Sequence, residues 1–323
     1  MTTKSTFSLF AAVLIALTGC DILNPVDSIR HPETNVVLTG FLTPGAPVEV
    51  TLRSSIPFTE YYPFRSLDRY AIDGAIAVIT VDGVAHTLIQ DPARPGVYTA
   101  PGLTTQSGST YGVSVTFPDG HQFDGWHLTS STTVPGPVQM NATLSAEQLA
   151  RGARLDSLVF PRGLANPGEF QAAESLTPIS ISWDPADGAA GYLVGVIAED
   201  TLGTGILRKR AYEDWLDGEF NNPQLRQNLQ KSGFFTLPDS MNADIFWLLF
   251  GYKGEQSVSV FACDTGYFDY FFTLMNGAGQ SGADADRGPK LNVKGGLGVF
   301  GSYAADTVKV RVYPEWLPSA HMN

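Results

Sequence analysis

The chain has 323 residues, 43% of them hydrophobic and 16% charged, with 33 glycines and 21 prolines. That is enough apolar chain for a sizeable core, roughly two domains by length, and it excludes a disordered polymer. The net charge of −12 excludes a basic phosphate-binding face, so no nucleic-acid partner is expected, and the many turn formers favour short strands over long helices.

Residues 1–20 read MTTKSTFSLFAAVLIALTGC. Lys4 supplies a short positive region, and Phe7 to Leu17 is an apolar run. It is too short to cross a ~30 Å hydrocarbon core but fits the centre of a signal peptide. The run ends in Leu17-Thr18-Gly19-Cys20, which resembles the lipobox of bacterial lipoproteins: an aliphatic residue, two small residues, then cysteine. The resemblance implies that residues 1–19 are removed, that Cys20 carries a diacylglyceryl thioether, and that its new amine is acylated. Several acyl chains hold a protein to a membrane firmly where one is marginal. Residues 20–34 then read as a polar tether. Asp21 resembles an inner-membrane retention signal of some lipoproteins, so the choice of membrane stays open on that residue alone.

From residue 35 the pattern becomes strand and turn, and residues 35–135 read as an immunoglobulin-like antiparallel sandwich. Val48, Val50 and Leu52 alternate with polar residues after the turn Pro44-Gly45. Ala75 to Val81, Asp82-Gly83, and Val84 to Ile89 form a hairpin signal, because Asp-Gly takes the positive φ angles of a type I′ turn. Tyr111, Val113, Val115 and Phe117 alternate strictly, and Pro118-Asp119-Gly120 turns the chain into a strand expected over His121 to Trp126. On such a strand His121 and His127 would share a face about 20 Å apart, with Asp124 on the other, which excludes a common metal site.

Residues 136–175 read as a helix-containing linker, with Ser145-Ala146-Glu147-Gln148 as a capping box opening a helix to about Arg154. Residues 176–323 read as a second β-rich domain with a few short helices. Ile179, Ile181 and Trp183 alternate, and Trp183 followed by Tyr192 and Val194 resembles the early strands of fibronectin type III domains. Asn222-Pro223 reads as an N-cap and first helical proline, with the helix running to Lys231. Asp244 to Phe250 reads as a buried strand or helix, or else as an exposed apolar patch for a membrane partner. Cys263 follows the alternating stretch Val258 to Ala262 and reads as a buried, inert thiol. Asp264 caps a helix whose apolar face would carry Phe268, Phe271, Phe272 and Met275. Val308, Val310 and Val312 mark a final strand. The overall expectation is a mostly β chain.

Asn292-Val293-Lys294-Gly295-Gly296-Leu297-Gly298-Val299-Phe300-Gly301-Ser302-Tyr303 resembles the closing motif of domain-of-unknown-function family 4249. Val36 to Leu42 resembles that family's opening strand, and Tyr267 to Leu274 its aromatic segment. The resemblance implies an outer-membrane lipoprotein of Gram-negative bacteria, often found alongside TonB-dependent receptors, with an N-terminal sandwich and no established catalytic residues.

Within the motif, Gly296 to Gly301 matches G-x-G-x-x-G, but a dinucleotide site needs a helix after it, and an alternating strand follows. Gly295, Gly296, Gly298 and Gly301 are therefore expected to serve positive φ or close strand approach, and Phe300 to pack. Tyr61, Tyr62, Phe64 and Arg65 form an aromatic loop that either packs on the sandwich or offers a partner surface. Asp284-Ala285-Asp286 reads as a solvated loop, since the glycine and distal glutamate of a calcium loop are absent. No catalytic constellation, metal site or cofactor motif is expected. The best-supported reading is a non-enzymatic, lipid-anchored envelope protein that assists a TonB-dependent receptor or captures its ligand. The alternative is a structural or adhesive surface lipoprotein, and a third reading is an envelope hydrolase.

Overall fold

In the computed structural model, residues 34–55, 68–161, 176–199, 232–237, 240–250, 253–277 and 289–314 are described. The chain is mostly β with a few short helices. Period-2 alternation places apolar side chains on one face of each strand, and two such faces close a core.

The first core lies between two layers. One layer holds β1 (Val36–Leu42), β2 (Pro47–Ser54), β6 (Val97–Thr104) and, at its edge, β5 (Ile89–Gln90). The other runs β4 (Val84–Thr87), β3 (Ile76–Val81), β7 (Thr110–Thr116), β8 (His127–Thr133). Val36, Leu38, Val50 and Leu52 meet Ala77, Ile79, Tyr111 and Val115 between them. This is the immunoglobulin-like antiparallel sandwich expected from the sequence. Asp82 at φ 47° and Gly83 at φ 88° form the two-residue turn that pairs Val81 with Val84. At buried Leu88, whose N–H donates to the Ala77 carbonyl, the chain passes from one layer to the other.

One expected strand is corrected. His121 to Trp126 forms consecutive turns, and β8 begins at His127. Gly120 and Gly125 adopt φ near +80°, and the N–H groups of His121, Asp124 and Trp126 each bond a carbonyl three residues back. The turns lower Phe123 onto the open end of the core, where it packs against Phe117 and Trp126.

The second core also lies between two layers. One contains β13 (Ser232–Leu237), β12 (Gly191–Ala198), β15 (Gly254–Cys263) and β16 (Leu297–Pro314). The other runs β14 (Asn242–Ile245), β11 (Ile179–Trp183), β9 (Met140–Leu144). Ile179, Ile181, Val194, Val258, Val260, Val310 and Val312 fill the space between. The segment read as a linker contributes to this core. β9 pairs with β11, β10 (Leu158–Phe160) pairs with the end of β16, and Val138, Leu158 and Phe160 are buried in the cluster.

Within that segment, helix α1 (Ala146–Ala150) has Ser145 as its N-cap, accepting from the Gln148 N–H. It stops four residues short of the expected end, where Gly152 at φ 70° reverses the chain. The Gln148 side chain does not close the capping box. It bonds the N–H and carbonyl of Val159 instead, tying the helix to β10.

The apolar run Asp244 to Phe250 is half strand and half 3₁₀ turn over Trp247–Leu249. Trp247 and Phe250 are fully buried and pack edge-on, while Phe246 faces solvent.

Strand β16 joins the two cores. Leu297 to Ser302 runs parallel to β1, and Tyr303 to Val312 runs antiparallel to β15. A single sheet therefore passes through both sandwiches in the order β13-β12-β15-β16-β1-β2-β6-β5. Helix α2 (Thr265–Gly277) lies on this sheet, burying Tyr267 and Phe268 against Leu193 and Cys263. Its apolar face is rotated from the one expected: Tyr267, Phe268 and Phe271 face the sheet, and Phe272 is exposed.

Candidate binding cleft at the seam of the two cores

The glycine motif is the seam. Gly298 has φ 121°, and a Cβ there would stand 1.9 Å from the Leu38 carbonyl oxygen. Gly295 has φ 78°, and its Cβ would stand 2.0 Å from the His127 carbonyl oxygen. No side chain fits either backbone. Gly296 presses on Leu128 and the Val36 carbonyl, and Gly301 on the backbone of Tyr267. Phe300 inserts between them, fully buried, into the first core. The Asn292 side-chain amide donates to the Phe300 carbonyl and accepts from the Phe300 N–H, both at 2.8 Å, so it closes the loop that carries the glycines. The chain continues as a strand, which leaves the G-x-G-x-x-G match without the helix that would hold a phosphate.

Beside this seam Asp264 collects hydrogen bonds from three elements. Its Oδ1 accepts from the N–H of Tyr267 in α2 and of Ser302 in β16, each at 2.9 Å. Its Oδ2 accepts from Thr132 Oγ1 of β8 at 2.7 Å. Thr132 and Ser302 hydroxyls lie 2.6 Å apart, and Ser302 Oγ reaches the Thr133 carbonyl. All three side chains are buried. Burying polar groups is tolerable because each is satisfied, and removing one member strands the others. Asp264 is thus an N-cap that also ties the first core to the last strand.

Above the network lies a cleft of about 430 Å³, bounded by Ser131 and Thr133 of β8, the first turn of α2, and Lys290 to Asn292. Lys290 pairs with Asp269 at its mouth, and its N–H donates to Thr273 Oγ1. Ser131, Thr133, Thr265 and Asn292 line it beside the Lys290–Asp269 pair and Leu291, so the chemistry it offers is hydrogen bonding to a small polar group. A second groove of about 480 Å³ lies on the other core, between Arg154, Glu255, Lys309 and Arg311. Its charges are compensated: Lys309 pairs with Glu199 and lies 3.7 Å from Glu255, and Arg154 pairs with Asp156.

The remaining sequence candidates fall apart from one another. His121 stacks on Phe117 and bonds the Asp73 carbonyl, whereas His127 Nε2 bonds Ser114 Oγ. Among the described residues no group of three or more His, Cys, Asp or Glu is placed to hold a metal ion. Cys263 is fully buried, and burial pushes its thiol well above the ordinary range. The lipobox Leu17, Thr18, Gly19 and Cys20 lies outside the described residues. So do the aromatic loop Tyr61, Tyr62, Phe64 and Arg65, the Asn222–Lys231 helix and the Asp284–Asp286 loop. Among the described residues no helix is long and apolar enough to cross a membrane. Sequence reasoning found Asp264 as a cap but not Thr132 or Ser302. A lone buried hydroxyl in a strand carries no signal until its partner is known.

The family model described as "Domain of unknown function (DUF4249)" matches residues 24–309. The chain belongs to this family. Both the opening strand β1 and the glycine motif that packs on it lie inside the matched span. No curated protein matches the chain. Among solved structures it is similar to a two-domain fibronectin type III segment of chicken tenascin. The identity is 12% and the TM-score 0.20, with 71% of this chain and 89% of that one covered. It is also similar to the FN1–FN3 domains of chicken CNTN1, at 11% identity and a TM-score of 0.23, with 86% of this chain covered; it spans 64% of that chain.

Proposed function

We propose that this DUF4249 protein is a lipid-anchored, non-catalytic binding module of the bacterial cell envelope, held at the outer membrane, and that it serves a TonB-dependent receptor as an accessory subunit or ligand-capturing partner. The observation that carries the anchor is the N-terminal order of Lys4, the apolar run Phe7 to Leu17, and Leu17-Thr18-Gly19-Cys20. Charge, length, small residues and cysteine position agree with one processing event. A binding rather than catalytic role is supported by the use of the seam's polar groups. Asp264, Thr132 and Ser302 are committed to one another and to backbone, and Lys290 to Asp269. The receptor as partner is drawn from the family resemblance.

The test is cross-linking in intact cells, affinity purification through a C-terminal tag, and mass spectrometry. The reading expects a diacylated Cys20 and a TonB-dependent receptor in stoichiometric yield, lost on Cys20→Ala. An unmodified Cys20 overturns the anchor. A lipidated protein recovered with itself alone overturns the receptor and favours a stand-alone adhesive module.

A further inference from the structure

Four large apolar side chains among the described residues are more than half exposed, and three of them lie on one side of the first sandwich: Val84 at 61%, Ile89 at 59% and Ile76 at 52%. They surround β4, the outer strand of the four-stranded layer. The hydrogen-bond parity of β4 follows from its register. Leu88 donates to the Ala77 carbonyl, and His86 and Val84 stand opposite Ile79 and Val81. The even-numbered residues therefore bond β3, and Ala85 and Thr87 turn their N–H and C=O groups outward. Both residues are exposed.

Edge strands are ordinarily protected by lysine, proline, a bulge or a covering loop. The sequence Val84-Ala85-His86-Thr87 carries neither lysine nor proline, and its ladder with β3 is regular. Beside it lie Ile76 at the start of β3 and Ile89 just past Leu88, where the chain enters the other layer, and half-buried Val78 pairs with Thr87. Among the described residues the result is an uncharged edge with open backbone donors and acceptors and apolar shoulders. Carboxylates lie at both ends: Asp82 at the turn, and exposed Asp73 at the other, where the Gly74 N–H donates to Gln90 Oε1; Asp91 there is neutralised by its pair with Arg94. The Thr110 N–H holds Asp82 below the usual carboxylate range, so it is ionised at neutral pH.

We propose that β4 is a docking edge that accepts an extended segment of a partner protein as an added strand, one that is apolar at its centre and basic at its ends. The main-chain groups of Ala85 and Thr87 supply the ladder, the exposed aliphatic residues take alternate side chains, and the bracketing carboxylates select the ends. Charge argues against a second copy as occupant. Antiparallel pairing of two β4 edges centred on His86 would bring each Asp82 toward the other copy's Gln90 end, where Asp73 lies, in a chain whose net charge is −12. This gives the binding role proposed above a surface, and it does not depend on the lipid anchor.

The test uses the purified full-length protein and fluorescein-labelled peptides Lys-Thr-Val-Thr-Val-Thr-Lys and Glu-Thr-Val-Thr-Val-Thr-Glu. The lysine-ended peptide is expected to bind at least tenfold tighter, to weaken with salt, and to protect the 84–88 backbone from deuterium exchange. Ala85→Pro removes an outward donor without touching the β3 ladder and is expected to weaken binding at least tenfold. Ala85→Lys keeps every backbone group and is expected to weaken the lysine-ended peptide alone. Equal affinity for the two peptides, or unchanged exchange over 84–88, overturns the proposal. So does a dimer of the unliganded protein that Ala85→Pro dissociates, since that makes the second copy the occupant. A failed anchor shows instead as an unmodified Cys20, so the two readings fail separately.

Discussion

The two sandwiches use the same alternation of apolar and polar residues but are completed in different ways. The second core draws on a nearly continuous stretch of chain, from Val138 to Val312, and its strands pair mostly with antiparallel neighbours. The first core draws on residues 36–134 and then on Val293 and Phe300, about half a chain length later. Its β1 edge is covered by β16 in parallel, with Val37 opposite Leu297. Closing so long a loop costs entropy that only the finished contact offsets. The difference teaches that the first sandwich depends on the second: the strand that seals it is fixed by pairing with β15.

That dependence can be broken most sharply at the glycines. Gly298→Ala is expected to cost more than about 4 kcal/mol, because its Cβ would overlap the Leu38 carbonyl. Gly45→Ala is the control. Gly45 has φ 80° but nothing within 4 Å of a Cβ, so it should cost about 1 kcal/mol. Urea unfolding of the two variants separates overlap from backbone strain. Equal losses would show that β16 is not locked onto β1.

Asp264→Ala is expected to cost about 3 kcal/mol, through the lost cap and the stranded Thr132 hydroxyl and Ser302 N–H. Hydrogen exchange should show α2 and the 300–303 stretch loosening together. Loosening confined to α2 would leave Asp264 a cap and no more.

Lys309→Ala, on the second core alone, removes an exposed pair with Glu199 and should cost about 0.5 kcal/mol. The pH dependence is a smaller effect still. Bonding from Lys309 and Ser257 holds Glu199 below the usual carboxylate range, as the Thr110 N–H does for Asp82. A depressed folded value contributes stability that is present above the ordinary carboxylate pKa of about 4 and is lost as pH falls through the folded value. Melting temperature should therefore drop on acidification below that point, and Glu199→Gln should flatten part of the drop.

What the sequence disclosed follows the range of the interaction. The Asp82-Gly83 hairpin, the alternation of Tyr111 to Phe117, the Ile179 to Trp183 strand and the Asp264 cap are local patterns, readable over a few residues. The parallel pairing of Val37 with Leu297 and the entry of Leu158 and Phe160 into the second core are long-range outcomes, and alternation does not say which strand lies beside which. The His121 to Trp126 stretch misled because its apolar residues plug a core from turns rather than from a strand. At the seam the glycines were visible, but the carbonyls they avoid belong to β1 and β8 and were not.

The most direct test of the central claim is native-state hydrogen exchange on the whole protein across a denaturant series. If β16 makes the two sandwiches one cooperative unit, the amides of β1, β2 and β7 will lose protection at the same denaturant concentration as those of β12 and β15. If the first sandwich opens at a lower concentration while β15 and β16 stay protected, the two are independent, and the shared strand does not hold them together.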